Sequence, residues 1–247
     1  MNSHVVVLPD SDSLSLAAAN QFLNAVQAAV SQRGRALVAL SGGTTPIRLF
    51  QTLAKAPFSA QIPWDVVHFF WCDERCVPPD DPESNFGQAS QALFRPLNLP
   101  EINLHRIDGE LEPEQAALVY AETLMQFRSS GLLWPVFDLV LLGLGADGHT
   151  ASLFPGASLP EREPVLAVTA SYQGRPARRV TLTPMVLNMA RLVIFMVAGT
   201  DKANAVKLAL LGPPDPLRYP AQRIQPNQGA LYWLVDAAAA EAIRGSG

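Results

Sequence analysis

The chain has 247 residues, of which 49% are hydrophobic and 16% charged, with a formal net charge of -4. This composition excludes a disordered chain and a charged nucleic-acid binder, and the length fits one large α/β domain or two small ones. No linker-like tract divides it, so a single domain over residues 1–247 is expected. With so little net charge, an anionic ligand must be met by local cations. No segment approaches the roughly 18 uninterrupted apolar residues of a membrane span, and MNSHVVVLPD lacks a basic region leading into a long apolar stretch. A cytoplasmic protein without nucleic-acid or membrane partners is the expectation.

Val5 to Leu8 reads as a short strand. Ser13 to Gln32 reads as a helix with apolar residues near helical spacing at Leu16, Ala19, Phe22, Leu23, Val26 and Val30, ended by Gly34. Ala36 to Leu40 is the next strand. It runs into Ser41-Gly42-Gly43-Thr44-Thr45-Pro46 and a helix from about Ile47 to Lys55. Such a turn presents backbone N–H groups and hydroxyls to an anion at the positive end of a helix dipole. It is not a P-loop, since it has no G-K-[ST] ending, and an ordinary turn capped by Thr44 or Thr45 is the alternative.

Val66 to Trp71 is a strand whose exit carries Asp73, Glu74 and Arg75; a solvated charge run is the alternative to a site there. Pro78, Pro79 and Pro82 fix a loop, after which Ser84 and Asn85 cap a helix. Cys72 and Cys76, in CDERC, lack a second zinc-ligand pair and the C-x-x-C spacing, so they read as buried reduced thiols. Pro113 to Phe127 is a helix with Glu112 and Glu114 at its positive end.

The run Phe137 to Leu142, bounded by a glycine, reads as a strand buried on both faces. Gly143, Gly145 and Gly148 follow, with Asp147 and His149 two residues apart. Side chains at this spacing meet in a turn but not once a helix has begun. GLGADG has the spacing of a dinucleotide fingerprint, but Pro155 and Gly156 cut off the helix such a site needs, and the strand Val165 to Thr169 ends without a carboxylate.

Arg175, Arg178 and Arg179 come next, then a short helix from Thr183-Pro184 through Met189 and a strand Leu192 to Val197. Gly199 to Lys202 forms a polar exit before a helix Ala203 to Leu211; Leu231 to Val235 and Ala237 to Ile243 close the chain as strand and helix. The alternation predicts a Rossmann-like α/β fold, a mainly parallel sheet with helices on both faces.

Four strand exits therefore carry polar groups: Ser41 to Thr45, Asp73 to Arg75, Asp147 to His149 and Thr200 to Lys202. A glycine-rich loop, Arg and Lys, and one His beside an Asp point to acid/base chemistry on a phosphorylated small molecule. There is no G-x-S-x-G elbow. His68, within a strand, and His4, near the terminus, read as structural, while His105 has no assigned place.

LSGGTTP, FFWCDERCVPPDDPESNFG and DLVLLGLGADGHTASLFPG, in this order, together with RVTLT and GTDKA, resemble the signature segments of the 6-phosphogluconolactonases from about Leu40 to Ala203. The resemblance implies hydrolysis of 6-phospho-D-glucono-1,5-lactone to 6-phosphogluconate in the pentose phosphate pathway, with no cofactor; no metal is expected either, because Arg75, Arg179 and Lys202 can meet the cationic tasks and the cysteines lack a ligand set. That reaction needs a base to activate water, which the imidazole of His149 suits, and the ring hydroxyls would find Asp73, while Asp147 either meets the histidine or turns away from it. Arg75 or backbone N–H groups of the glycine turn would hold the oxyanion. Gly42, Gly43, Thr44, Thr45, Arg179 and Lys202 would hold the phosphate, with Arg178 the alternative to Arg179.

The glucosamine-6-phosphate deaminases are similar in the same segments. That family carries tyrosine where this chain has Arg75, and its DGH stretch ends in a glutamate that helps open the sugar ring. The matching position here is Phe154, which cannot take a proton. A non-catalytic sugar-phosphate sensor is a third reading, since regulators use the same fold; it would not need His149 or Asp73.

Overall fold

The computed structural model describes residues 3–160 and 162–244. Its main sheet has seven strands, all paired in parallel, in the order β1-β10-β9-β6-β2-β3-β5. They are β1 Ser3–Leu8, β2 Ala36–Leu40, β3 Val67–Trp71, β5 Leu104–His105, β6 Leu139–Leu142, β9 Leu192–Val197 and β10 Ala230–Asp236. Every residue of β2 and β6 is buried, as strands covered on both faces require. β1 and β5 are the two edges, and β1 is exposed along most of its length.

The longest helices are α1 Ser11–Arg33, α2 Thr44–Leu53, α3 Pro113–Met125 and α4 Ala203–Leu211. Asp10 caps α1 by accepting the Ser13 N–H at 2.7 Å, and Gly34, at φ 75°, ends it in the left-handed conformation that glycine adopts without strain. α1 buries Leu14, Ala18, Ala19, Phe22, Val26 and Ala29, whereas Leu16, read as apolar-face from its spacing, is exposed. No described helix is long and apolar enough to cross a membrane.

A second, three-stranded antiparallel sheet was not legible in the sequence: β4 Asp73–Arg75, β8 Arg178–Leu182 and β7 Val165–Thr169, in the order β4-β8-β7. The chain leaves the main sheet at Cys72, whose N–H donates to the Leu40 carbonyl while its own carbonyl accepts from the Leu182 N–H. Where β3 ends, the buried Tyr120 hydroxyl accepts from the Trp71 N–H at 2.8 Å and donates to the Trp71 carbonyl at 2.9 Å. It stands in for a strand partner at that point.

The expected C-terminal helix Ala237 to Ile243 is not formed; residues 237–244 are successive turns. Asp236 draws them in, its carboxylate accepting the Ala239 N–H and its carbonyl the Ala240 N–H. Seven residues are too few for alanine propensity alone to sustain a helix.

Cys72 is buried, Cys76 half-buried, and both are free thiols. Burial raises both, Cys76 to about 11, so neither is a thiolate at neutral pH. His4 stacks on Tyr232. His105 finds its place beside His68, with 3.0 Å between His68 Nδ1 and His105 Nε2 on neighbouring strands, among Phe70 and Phe127. Burial lowers both imidazoles, His105 to about 4, and Arg35 adds to the effect on His68. A histidine depressed in the folded state contributes stability above its ordinary value near 6.5, and that contribution is lost as pH falls towards about 4. Thermal melts from pH 7 to pH 4.5 should therefore show falling Tm, and His105→Phe should flatten that slope; an unchanged slope would refute the assignment.

Candidate active site

The carboxyl ends of β2, β3, β6 and β9 open on one cleft of about 340 Å³. It lies at the switch point of the sheet, because from the central pair β6 and β2 the chain continues to β9 on one side and to β3 on the other. Gly42, Gly43, Thr44, Thr45, Asp73, Arg75, His149, Arg179 and Lys202 all line it. Asp147, Glu74 and Arg178 do not line it. Arg178 is exposed and pairs with Glu112, while alternation along β8 turns its neighbour Arg179 inward.

The turn after β6 closes on itself. Gly145 N–H donates to the His149 carbonyl at 2.8 Å, and Gly148, at φ 89°, donates to the Gly145 carbonyl at 3.0 Å. Turns follow in place of the helix a dinucleotide fingerprint needs. Asp147 and His149 do meet: Nδ1 lies 2.6 Å from Asp147 Oδ1, which also accepts the His149 N–H at 3.1 Å. Burial raises the Asp147 carboxyl, but hydrogen bonding and charge from His149 outweigh it and hold the carboxyl below its ordinary value. An ionised carboxylate only accepts, so Nδ1 carries a hydrogen, and in the neutral imidazole Nε2 keeps a lone pair for base chemistry. Gly145 is required here, since a Cβ would fall 2.0 Å from His149 Nδ1. The imidazole stacks on Phe154 at 4.5 Å and meets Tyr172 edge to face at 4.5 Å.

Asp73 is buried, with Oδ2 accepting from Ser152 Oγ at 2.7 Å; Asn85 Nδ2 donates to the Asp73 carbonyl at 2.8 Å. Ser152 belongs to the same turn as His149, so one loop sets both side chains. Glu74 turns away from the cleft and organises residues 84–86, accepting three backbone N–H groups and the Ser84 hydroxyl. Burial pushes its carboxyl up to about 7, against the pull of those four donors. Arg75 Nη1 donates to the Glu83 carbonyl at 2.6 Å.

α2 starts at Thr44, earlier than expected, with Gly43 as N-cap at φ 108° and no side-chain cap. Its first-turn N–H groups are thus left for a ligand, and neither threonine acts as the cap the alternative reading required. Opposite, Gly199, at φ 103°, donates its N–H to the Asp236 carboxylate, fixing the turn that delivers Lys202. Lys202 Nζ is 3.1 Å from Asp201 Oδ2. Burial lowers Arg179, which packs over the Phe154 ring.

Among the described residues, eight buried side-chain polar atoms lack a partner, and five belong to this cleft: Ser41 Oγ, Arg75 Nε, Asn85 Oδ1, Tyr172 Oη and Arg179 Nη2. Asn85, Tyr172 and Gln173 escaped the sequence reading as site residues. Gln173-Gly174 between two β-rich runs was the usable signal, since x-Gly pairs make two-residue hairpin turns.

Residues 9–233 match the family described as glucosamine-6-phosphate isomerases/6-phosphogluconolactonase. The chain is 41% identical over 202 residues to 6-phosphogluconolactonase of Haemophilus influenzae, covering 82% of this chain and 85% of that one. It is 39% identical to the Nostoc enzyme of the same name, covering 97% and 98%. The structure of 6-phosphogluconolactonase from Trypanosoma cruzi superposes with a TM-score of 0.86 at 28% identity, covering 98% of this chain and 97% of that one. The fold, the cleft at the strand ends and these likenesses lead to one statement: the chain belongs to the glucosamine-6-phosphate isomerase/6-phosphogluconolactonase family.

Proposed function

We propose that this protein is a cytoplasmic 6-phosphogluconolactonase that hydrolyses 6-phospho-D-glucono-1,5-lactone to 6-phospho-D-gluconate in the pentose phosphate pathway. The observation that carries the reading is His149, held by Asp147, lining the same cleft as the uncapped start of α2 and Lys202. His149 Nε2 takes a proton from water as its oxygen attacks C1, and Asp147 steadies the imidazolium that forms. Arg75 stabilises the developing oxyanion. The C1–ring oxygen bond then breaks, and the proton returns from His149 to the departing C5 oxygen. Asp73, held by Ser152, accepts from ring hydroxyls. The first turn of α2, Arg179 and Lys202 hold the phosphate.

Phe154 speaks against the deaminase alternative, because an apolar ring lies flat on His149 where ring opening needs a carboxylate. Hydrolysis in ¹⁸O-water tests the reading. The protein should open the lactone well above the spontaneous rate and place one solvent oxygen in the C1 carboxylate and none at C5. Label at C5, or no acceleration, would overturn it.

No metal is needed in this scheme, since Arg75, Arg179 and Lys202 supply the positive charge. Among the described residues no group of three or more His, Cys, Asp or Glu side chains is arranged to hold an ion. Dialysis against a strong chelator should leave kcat unchanged; activity lost and then restored by added metal would refute this point.

A further inference from the structure

We propose that Glu83 is a positioning residue: its carbonyl and carboxylate together hold the Arg75 guanidinium at the cleft wall for the developing oxyanion. The inference rests on the lactonase reading, and on Arg75 as the oxyanion group within it, and adds a residue that sequence reasoning left without a role.

Arg75 is almost wholly buried, and a buried guanidinium is costly unless acceptors and a counter-charge meet it. Glu83 supplies one of each. Its carbonyl accepts from Arg75 Nη1 at 2.6 Å, and its Oε2 lies 3.6 Å from the same nitrogen. Among the described residues no other carboxylate is in ion-pair range of Arg75. Glu83 is itself fixed. Asp81 Oδ1 accepts the Glu83 N–H at 2.7 Å, Pro82 precedes it, and the next residue, Ser84, caps a short helix whose start is fastened by Glu74. From the β7–β8 hairpin, Arg175 Nη1 lies 3.0 Å from that same Glu83 Oε2. The hairpin turns at Gln173 and Gly174, at φ 49° and 70°, and closes where the Arg175 N–H donates to the Tyr172 carbonyl at 3.0 Å.

One carboxylate oxygen thus stands between two arginines, with a third nearby. Burial lowers Arg179, and the charges of Arg75 and Arg175 lower it further against the pull of Asp73 and Glu83. By charge alone Glu83 would weaken the binding of an anionic substrate. A bare field role and a positioning role therefore predict opposite kinetics.

Glu83→Gln removes the charge and keeps the backbone acceptor. With the phosphorylated lactone kcat should fall about 5- to 50-fold, short of the roughly 10²-fold that a 1 Å misplacement costs. KM should change by less than about twofold, because Arg75 acts in the transition state. Glu83→Asp, which keeps the charge on a shorter arm, should lose less, and carries the same comparison if Glu83→Gln does not fold. On an Arg75→Gln background, Glu83→Gln should alter kcat by less than about twofold, since the group it acts through is already gone. Unchanged kcat in Glu83→Gln, with KM lowered by loss of the opposing charge, would overturn the inference and leave the lactonase reading intact. Equal losses with and without Arg75 would also overturn it. A wild-type protein that neither opens the lactone nor binds 6-phosphogluconate by calorimetry would remove the lactonase reading and this inference with it.

Discussion

His149→Asn should fold normally and lose about 10²- to 10⁴-fold in kcat, with KM little changed, because a general base acts in the transition state and contributes little to ground-state binding. The Asp147 bond fixes which nitrogen faces the cleft, and Phe154 and Tyr172 fix the ring plane, so the base is preorganised before substrate arrives. Steady-state kinetics with the phosphorylated lactone, corrected for spontaneous opening, provide the check. A variant within about threefold of wild type falls well short of the loss expected for a general base and would move that role to another group, such as Asp73, whose carboxylate lines the cleft.

Glucono-1,5-lactone without its phosphate should be turned over at least about 10²-fold less efficiently. Each charge-assisted contact contributes roughly 1.5–3 kcal/mol, and at least two are proposed, at the first turn of α2 and at Lys202. Binding energy from a non-reacting phosphate positions C1 against the water on His149, so its loss lowers kcat as well as affinity. Neutralising Lys202 should depress kcat/KM for the phosphorylated lactone and barely change the poor rate on the unphosphorylated one. Comparable kcat/KM for the two lactones would contradict the phosphate cradle.

What the sequence made legible follows its periodicities. Apolar runs ending in glycine or in charged residues mark the parallel strands and their exits, so most of the cleft's lining is legible in the sequence. Contacts between distant segments were not legible. Ser152 reaches Asp73 across 79 positions, and His68 meets His105 across 37, with no local pattern to announce either. The small antiparallel sheet was hidden because β4 has three residues, all charged, and β8 begins with two arginines, one exposed and one buried. The pairing of Asp147 with His149 depended on whether the chain turns or starts a helix there, and glycines at 145 and 148 decide for the turn. The C-terminal alanines misled because Asp236 pulls the following amides into turns while also fixing Gly199 in the turn that leads to Lys202.

The most direct test of the central claim is a paired assay on the purified protein, with 6-phospho-D-glucono-1,5-lactone and glucosamine-6-phosphate as substrates under identical conditions. Proton release from the lactone at a rate far above spontaneous opening, with no ammonia from the amino sugar, is the predicted result. Ammonia release comparable with lactone opening, or lactone opening no faster than in buffer alone, would contradict it.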